Sequence, residues 1–240
     1  MSDKVKIAIM QPYFFPYIGY FSLIKHTNKF ILLDTVQFIN HGWIERNRIL
    51  KPNEGWQYIG VPLVKHSRDT KINNIVISDK FEWQDRLFRQ LEHYKKSAPF
   101  YNQTIEIIRE ALKIETQSIV RLNENIIRVV CKYLNIDLDM EVFSDMNLNI
   151  INPNEPDEWA LNICKEIGDI DEYWNPEGGL KFFNRKKYEK EGIKIYFLKM
   201  HFLNYKQQRQ MFESGLSIID AMMFNDIKEL NKMLDSYELI

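Results

Sequence analysis

Side chains that could hold a phosphate or move a proton follow two apolar runs near the start of the chain. Asp34 comes directly after the second run, and Arg46 and Arg48 come soon after it. A carboxylate at a strand end can orient a sugar hydroxyl or an amine, and the forked N–H donors of arginine match phosphate oxygens. These residues predict a nucleotide-like ligand, although a surface ion-pair network of both arginines with Glu45 is an equally good interpretation.

The loop Gln11–Tyr20 is a second candidate. Its sequence, Gln-Pro-Tyr-Phe-Phe-Pro-Tyr-Ile-Gly-Tyr, contains two prolines that stiffen the backbone and one glycine, Gly19, that permits close approach to a ligand. Tyr17 and Tyr20 each combine a ring surface with a hydroxyl group. We predict that this loop contacts substrate. The alternative is that its phenylalanines only cap the hydrophobic core.

A third candidate is the segment Tyr173–Gly179, in which two adjacent glycines separate a predicted strand from a predicted helix. Backbone N–H groups at such a junction can face an anion. We predict ligand contacts from Asn175, Gly178 and Gly179, although a simple turn explains the glycines equally well. No GxGxxG or Walker A motif is present, so a classical dinucleotide site or P-loop is not supported.

Histidine is the side chain best suited to proton transfer near neutral pH, and the chain has five histidines. His41 and His66 lie in predicted loops near the aromatic and arginine segments, but for each a non-catalytic role is the stronger interpretation. No histidine has metal-ligand spacing. Cys131 and Cys164 lack CxxC spacing, which suits a reducing cytoplasm, and no metal site is predicted.

The composition is that of an ordinary soluble globular protein, which excludes the disordered, collagenous and coiled-coil classes. The 240 residues are 45% hydrophobic and 27% charged, with 32 basic against 33 acidic side chains. A nucleic-acid-binding protein usually shows a basic stripe or domain, so nucleic acid is not an expected partner. No run approaches the roughly 18 apolar residues of a membrane span, and Met1–Lys6 shows no secretory signal. We expect a soluble, cytoplasmic protein without membrane insertion.

The elements that must position these residues alternate between strands and helices. Val5–Gln11, Tyr17–Lys29 and Phe30–Asp34 predict a strand–loop–helix–strand unit with parallel strands, and open α/β sheets bind ligands at the carboxyl ends of such strands. Further strands are predicted at residues 57–64, 74–78, 140–143, 172–174 and 193–198, and further helices at 155–167, 182–190 and 216–234.

Three helices are predicted between about residue 80 and residue 135, and the third carries an apolar stripe. The stripe consists of Leu122, Ile126, Val129, Val130 and Tyr133. We therefore predict a single α/β domain over residues 1–240, with an open, mostly parallel sheet and a helical insertion at about 80–135.

The combined pattern resembles the WbqC-like protein family over almost the whole chain. The matching motifs are Ile9–Phe21, Gly42-Trp43 with Arg46-Asn-Arg48, Asn175-Pro with Gly178-Gly179, Leu216–Asp220, and Phe224-Asn225. Glu45 departs from the asparagine expected there. The resemblance implies a cytoplasmic step in the biosynthesis of bacterial O-antigen, a part of lipopolysaccharide, or of another surface polysaccharide. The substrate would be a nucleotide-linked amino sugar, such as a dTDP-sugar.

The start of the chain also resembles, more distantly, the nucleotidylyltransferase and pantothenate synthetase fold, which is of Rossmannoid type. The His-x-Gly-His motif of that fold would align with Tyr17-Ile-Gly-Tyr20, where both histidines are absent. Tyrosine can donate a hydrogen bond but cannot supply the positive charge that stabilises transferring phosphoryl oxygens. Nucleotidyl transfer is therefore weakened as a hypothesis.

Three hypotheses follow, and the first is a transferase that joins an acyl or aminoacyl group to the amino group of a nucleotide-linked deoxy sugar. The others are ATP-dependent adenylation or nucleotidylyl transfer, and non-catalytic sugar-nucleotide binding. Asp34 and His41 are the predicted catalytic bases. The predicted substrate-binding residues are Gln11, Tyr17, Gly19, Tyr20, Gln37, Trp43, Arg46, Asn47, Arg48, Lys65, Asn175, Gly178, Gly179, Ser217 and Asp220. The sequence identifies no cofactor, and it leaves the sugar, the donor and the oligomeric state open.

Overall fold

The computed structural model of the protein describes residues 5–80 and 82–240, which form strands and helices. The strands are β1 (Lys6–Met10), β2 (Lys29–Leu32), β3 (Arg46–Leu50), β4 (Trp56–Gly60), β5 (Met140–Val142), β6 (Glu172–Pro176), β7 (Lys194–Met200) and β8 (Tyr237–Leu239). The α-helices are α1 (Ile18–His26), α2 (Trp83–Leu91), α3 (Tyr101–Ala111), α4 (Ile119–Leu134), α5 (Glu158–Ile167), α6 (Arg185–Lys190), α7 (Ile218–Phe224) and α8 (Ile227–Leu234). The predicted lack of a secretory signal in Met1–Lys6 rests largely on residues 1–4, which lie outside the described residues.

Six of the described strands form one sheet in the order β5-β2-β1-β6-β7-β8. All neighbours are parallel except β7 and β8. The predicted α/β class and mostly parallel sheet are therefore confirmed. The chain proceeds from β1 to β2 on one side and later returns to place β6 on the other side of β1. Such a topological switch point separates the loops after two neighbouring strands and opens a crevice at their carboxyl ends.

Both faces of the sheet are covered, as a mostly parallel sheet requires. Successive side chains of a strand point to opposite faces. Accordingly, Ile7 and Ile9 of β1 belong to one hydrophobic cluster, and Ala8 and Met10 belong to the other. The first cluster includes residues of α5 and the second includes α1 and the helices between β4 and β5. The sheet is thereby fixed between two cores.

The predicted helices of the 80–135 region are confirmed as α2, α3 and α4. In α4 the stripe residues Leu122, Ile126 and Val130 are buried, and the other two are half-buried. Ser118 caps the first turn, with its Oγ accepting from the N–H of Arg121 at 3.4 Å. None of the helices in residues 5–80 and 82–240 combines the length and apolar character needed to cross a bilayer. That the whole chain is one domain stays a prediction.

The structure differs from the sequence-based prediction around the β3–β4 hairpin. The strand at β4 is confirmed, but no strand was predicted at its antiparallel partner β3, which begins with Arg-Asn-Arg. The first three residues of β3 are all polar, which conceals a strand in an apolarity pattern, and of these three only Asn47 is buried. The strand predicted at residues 74–78 was wrong. Ile75 and Ile77 pack in the core and Val76 is exposed, while the backbone makes only isolated bridges, from Val76 to Ser118 and from Ile77 to Leu63.

The tail of the chain, residues 216–240, was predicted to contain one helix over residues 216–234. It contains two helices, α7 and α8, and the strand β8. Asn225 has extended backbone angles, which ends α7. Asp226 then caps the start of α8, with its Oδ1 accepting a hydrogen bond from the N–H of Glu229 at 2.8 Å. The chain then ends at β8, which pairs with β7.

A fully buried carboxylate, Asp220, joins the tail to distant segments. Its Oδ1 accepts from the hydroxyl of Tyr94 at 2.6 Å, and its Oδ2 accepts from the hydroxyl of Tyr205 at 2.5 Å and from Nε2 of Gln207 at 2.8 Å. The Tyr94 hydroxyl also accepts the N–H of Leu50 at 2.9 Å. Burial raises the pKa of Asp220, although its three hydrogen bonds oppose this shift.

We expect Tyr94→Phe to lower the free energy of unfolding by about 3 kcal/mol, because it leaves two buried groups, a carboxylate oxygen and a backbone N–H, without a partner. Tyr205→Phe should cost only about 1.5 kcal/mol, since Gln207 still donates to the same oxygen. Urea unfolding of both variants measures the difference. Equal losses, or a larger loss for Tyr205→Phe, would contradict the contacts assigned to Tyr94.

Candidate functional site

Two adjoining cavities lie over the carboxyl ends of β1 and β6. One has a volume of about 690 Å³ and the other about 330 Å³, and both are lined by Met10, Tyr13, Pro176 and Gly178. We call them the larger and smaller lobes of the switch-point groove. Their volumes lie within the range of small-molecule sites, and their position is the one at which open α/β sheets bind ligands.

The larger lobe combines apolar walls with amide side chains. The amides are Gln11, Gln37 and Asn175, and the apolar residues include Trp159 and Phe182. Nδ2 of Asn175 donates to the hydroxyl of Tyr173 at 2.6 Å, and Nε2 of Gln37 donates to the carbonyl of Arg68 at 2.9 Å. Both amides are thus held by their nitrogens, which makes their oxygens the acceptors available to a ligand.

Gly179 lies against the amide of Asn175. A Cβ atom at this position would collide with Oδ1 of Asn175. Gly178, by contrast, faces open space at the junction of the lobes, with no heavy atom within 4 Å of the position a Cβ would take. The two glycines therefore act differently: Gly179 makes room for an amide, and Gly178 leaves the passage between the lobes open.

The smaller lobe contains a positive charge held by aromatic rings. The guanidinium of Arg48 lies 5.3 Å from the ring centroid of Trp43 and 5.1 Å from that of Trp56. Its Nη2 donates to the carbonyl of Gly215 at 3.2 Å. Among the described residues, no carboxylate makes a salt bridge with Arg48. Of the described residues that line either lobe, Arg48 is the one charged side chain.

Asn47 fixes the aromatic loop to β3. Its Nδ2 donates to the carbonyls of Phe14 at 3.1 Å and Phe15 at 2.9 Å, while its Oδ1 accepts the N–H of Arg48 at 2.8 Å. Phe15 has a φ of 39°, in a region that a bulky residue rarely adopts. Both phenylalanines are fully buried, so the interpretation that they cap the core is confirmed.

Other predicted site residues contact this loop from the protein core rather than from the groove. Tyr20 is fully buried, and its hydroxyl donates to the carbonyl of Gln11 at 2.9 Å. Oγ of Ser217 donates to the carbonyl of Phe15 at 2.8 Å. Gly19 is required by packing, because a Cβ there would collide with the ring of Tyr17. These residues and Asp220 line neither lobe.

The predicted bases, Asp34 and His41, line neither lobe of the groove. Asp34 is buried where its Oδ1 accepts the N–H of Ser144 at 3.1 Å and its Oδ2 accepts the Ser144 hydroxyl at 2.6 Å, and burial raises its pKa. His41 is exposed, lines a different cavity with Arg46, and accepts a hydrogen bond from Nη2 of Arg46 through its carbonyl. Lys65 is exposed and lines neither lobe. The catalytic roles of Asp34 and His41 stay predictions.

The titratable groups inside the groove keep their protons at neutral pH. Burial, with smaller effects of Tyr13 and Glu177, raises the pKa of Tyr17 to about 12, and burial also raises the pKa of Tyr13. Neither lobe is lined by Asp, Glu, His, Lys or Cys among the described residues. The groove can therefore donate hydrogen bonds and supply one positive charge, but no lining side chain accepts a proton near neutrality.

Several lining residues were missed by the sequence analysis. Tyr13 lies in the aromatic loop but was not selected, although its residue type matched the argument made for Tyr17. Trp159, Phe182 and Phe202 come from segments far along the chain. Phe182 and Phe202 are large apolar side chains that remain exposed, which only the folded structure reveals.

Comparisons with known proteins agree over nearly the full length. The model of the WbqC-like protein family matches residues 11–232. A protein of Mycobacterium tuberculosis, Uncharacterized protein Rv1507c, is similar at 29% identity over 223 residues, which covers 92% of this chain and 93% of that protein. No solved structure matches the chain significantly.

We expect Asn47→Ala to lower the free energy of unfolding by about 3 kcal/mol, because three hydrogen bonds, two of them buried, are lost and the loop carbonyls are left with fewer donors. Asn53→Ala, the same change at an exposed position, should stay within about 0.5 kcal/mol of wild type. Denaturant unfolding measures both. Wild-type stability of Asn47→Ala would show that this amide does not hold the loop.

Proposed function

The chain belongs to the WbqC-like protein family, and we propose that its groove binds a nucleotide-linked amino-deoxy sugar and an acyl or aminoacyl donor and joins them in an amide bond. One observation carries the proposal. The groove lies at the switch point of the sheet and combines aromatic rings and amides with Arg48, which has no carboxylate partner among the described residues. That set of groups suits a ligand with a diphosphate, a ring system and several hydroxyls.

In this proposal the diphosphate lies in the smaller lobe. Arg48 has no carboxylate partner among the described residues, and its ring contacts hold the guanidinium in place. Guanidinium pairs strongly with phosphate oxygens, more so where water is excluded. The half-exposed ring of Trp43 and the ring of Phe202 offer surfaces for a base. Amide side chains of the larger lobe then receive the sugar hydroxyls.

The reaction would depend on positioning rather than on a protein base. The nitrogen of the sugar amine attacks the carbonyl carbon of the donor, forming an N–C bond and a tetrahedral oxyanion. The bond to the leaving group then breaks, and the leaving group departs with the electron pair. The ammonium proton passes to solvent, since no described lining side chain accepts it. Tyr13 and Tyr17, protonated at neutral pH, can donate hydrogen bonds to the oxyanion.

The proposal includes the cellular compartment and the biosynthetic pathway of the reaction. We place the reaction in the cytoplasm, as a step in O-antigen or other surface-polysaccharide biosynthesis, on the basis of the family resemblance. The β1–α1–β2 start, with its proline-containing loop, supports a sheet of the nucleotidylyltransferase-like type. Adenylation fits the groove less well, because magnesium-bound phosphates are usually held by carboxylates and none lines either lobe among the described residues. The missing proton acceptor favours non-catalytic binding as the second candidate.

The test combines the protein with UDP- and dTDP-linked amino sugars and with acyl and aminoacyl thioesters, with and without ATP and magnesium. Mass spectrometry of the sugar nucleotide should show the mass of the amide product without ATP. Strict ATP dependence with pyrophosphate release would support adenylation instead. Ligand-induced thermal stabilisation without product under any condition would support non-catalytic binding.

We expect Arg48→Gln to weaken the binding of the nucleotide-linked sugar at least about tenfold, because a charge-assisted hydrogen bond contributes about 1.5–3 kcal/mol. Arg109→Gln is the matched control, since Arg109 also stacks on a ring, that of Phe88, but lines neither lobe. Isothermal titration calorimetry measures both variants. Gly178→Leu provides a second arm, because its side chain should block the passage between the lobes without strain. Unchanged affinity in both groove variants would exclude this site.

The rate of amide formation should rise with pH until the amine of the substrate is fully deprotonated. The enzyme should add no further inflection between about pH 6 and 9, because burial keeps the pKa of Tyr17 at about 12. Initial rates of product formation across this range measure the profile, and Tyr17→Phe should leave its shape unchanged. An additional inflection abolished by Asp34→Asn or His41→Gln would instead identify a protein base.

A further inference from the structure

A separate cavity of about 700 Å³ lies between the β3–β4 hairpin and α2, and it shares no lining residue with either lobe of the groove. Three arginines line it: Arg46 from β3, and Arg86 and Arg89 from α2. We call it the arginine cavity. Arg86 and Arg89 are three residues apart, which places them on one side of the helix.

The three arginines are not neutralised by salt bridges. Among the described residues, the arginines in salt bridges are Arg121 and Arg128, and neither lies in this cavity. Arg86 and Arg89 are exposed, so their charges are accessible from solvent. Unpaired guanidinium groups that converge on one cavity from two elements are a typical arrangement for anion recognition.

Arg46 is already held in place. Its guanidinium carbon lies 3.9 Å from the ring centroid of Tyr58, and its Nη2 donates to the carbonyl of His41. These contacts reduce the conformational entropy that binding would cost, because the side chain is ordered before a ligand arrives. The half-buried ring of Trp83 and the buried side chain of Ile59 form an apolar wall beside the charges.

Two carboxylates also line the arginine cavity, and they do not cancel its positive charge. Glu82 is exposed. Burial raises the pKa of Glu45, which disfavours its ionised form, although Arg46 opposes the shift. Three permanently charged guanidinium groups therefore face at most two carboxylates, and the excess charge is positive.

We propose that the arginine cavity is a binding site, independent of the groove, for a small ligand that carries a diphosphate or two phosphate groups. A carboxylate presents two oxygens in one plane and can occupy a single guanidinium fork. The oxygens of two phosphate groups point in several directions and can reach arginines on both β3 and α2. This assignment separates Arg46 from Arg48, which the sequence analysis had given to the same diphosphate.

Calorimetric titration of the full chain with inorganic pyrophosphate, at fixed ionic strength, tests the site. The double variant Arg86→Gln/Arg89→Gln should bind pyrophosphate at this site at least tenfold more weakly than wild type. The matched control is Lys95→Gln/Lys96→Gln, which removes two positive charges from exposed positions shortly after α2. The control should retain the site with unchanged affinity. In Arg48→Gln the binding of pyrophosphate in the groove should weaken, while the binding event assigned to the arginine cavity should remain. Thermal melting confirms that each variant is folded.

Three outcomes would overturn the proposal. The first is wild-type protein that binds no pyrophosphate, and the second is equal weakening in both double variants, which would show only a general effect of net charge. The third is pyrophosphate binding that disappears completely in Arg48→Gln, which would assign it to the groove. Arg46→Gln provides an independent check from the other wall of the cavity and should weaken binding as well.

Discussion

Two hydrogen bonds from Asn47 to the carbonyls of Phe14 and Phe15 are the constraint on which the groove depends. They tie the loop after β1 to β3, in a hairpin that lies outside the main sheet. Because a buried carbonyl without a donor is costly, the loop has few other conformations available. The hydroxyl of Ser217 adds a third bond to the same loop from the tail of the chain. The loop after β1 is therefore joined both to β3 and to a segment about 200 residues further along the chain.

The groove forms at the switch point of the sheet, beside the loop that Asn47 holds in place. β6 lies beside β1, while the chain leaves β1 toward β2, so the loops after β1 and β6 diverge. Rigid neighbours then line the space between them: a loop stiffened by two prolines on one side, and Pro176 followed by paired glycines on the other. The groove is preformed, which lowers the entropy cost of binding.

The two arginines of β3 place their charges in different cavities. Arg46 and Arg48 are two residues apart on β3, yet different rings hold them: Tyr58 holds Arg46, while Trp43 and Trp56 hold Arg48. The two charges consequently line different cavities. Ring contacts of this kind fix a guanidinium without neutralising it, which leaves its charge for a ligand. Amide and hydroxyl groups supply the remaining polarity of the groove.

The sequence by itself determined the parallel β1–α1–β2 start, the helices between β4 and β5, and the position of the aromatic loop after β1, because hydrophobic periodicity and proline are local signals. Only the tertiary structure decided that Asp34 faces Ser144, that Tyr20 and Asp220 are enclosed in the core, and that Phe202 reaches the groove. Strand β3 was not predicted because it begins with three polar residues, and only the contacts of the folded chain bury one of them, Asn47. The direction of a side chain depends on which segments pack against it, and no spacing along the chain encodes those long-range contacts.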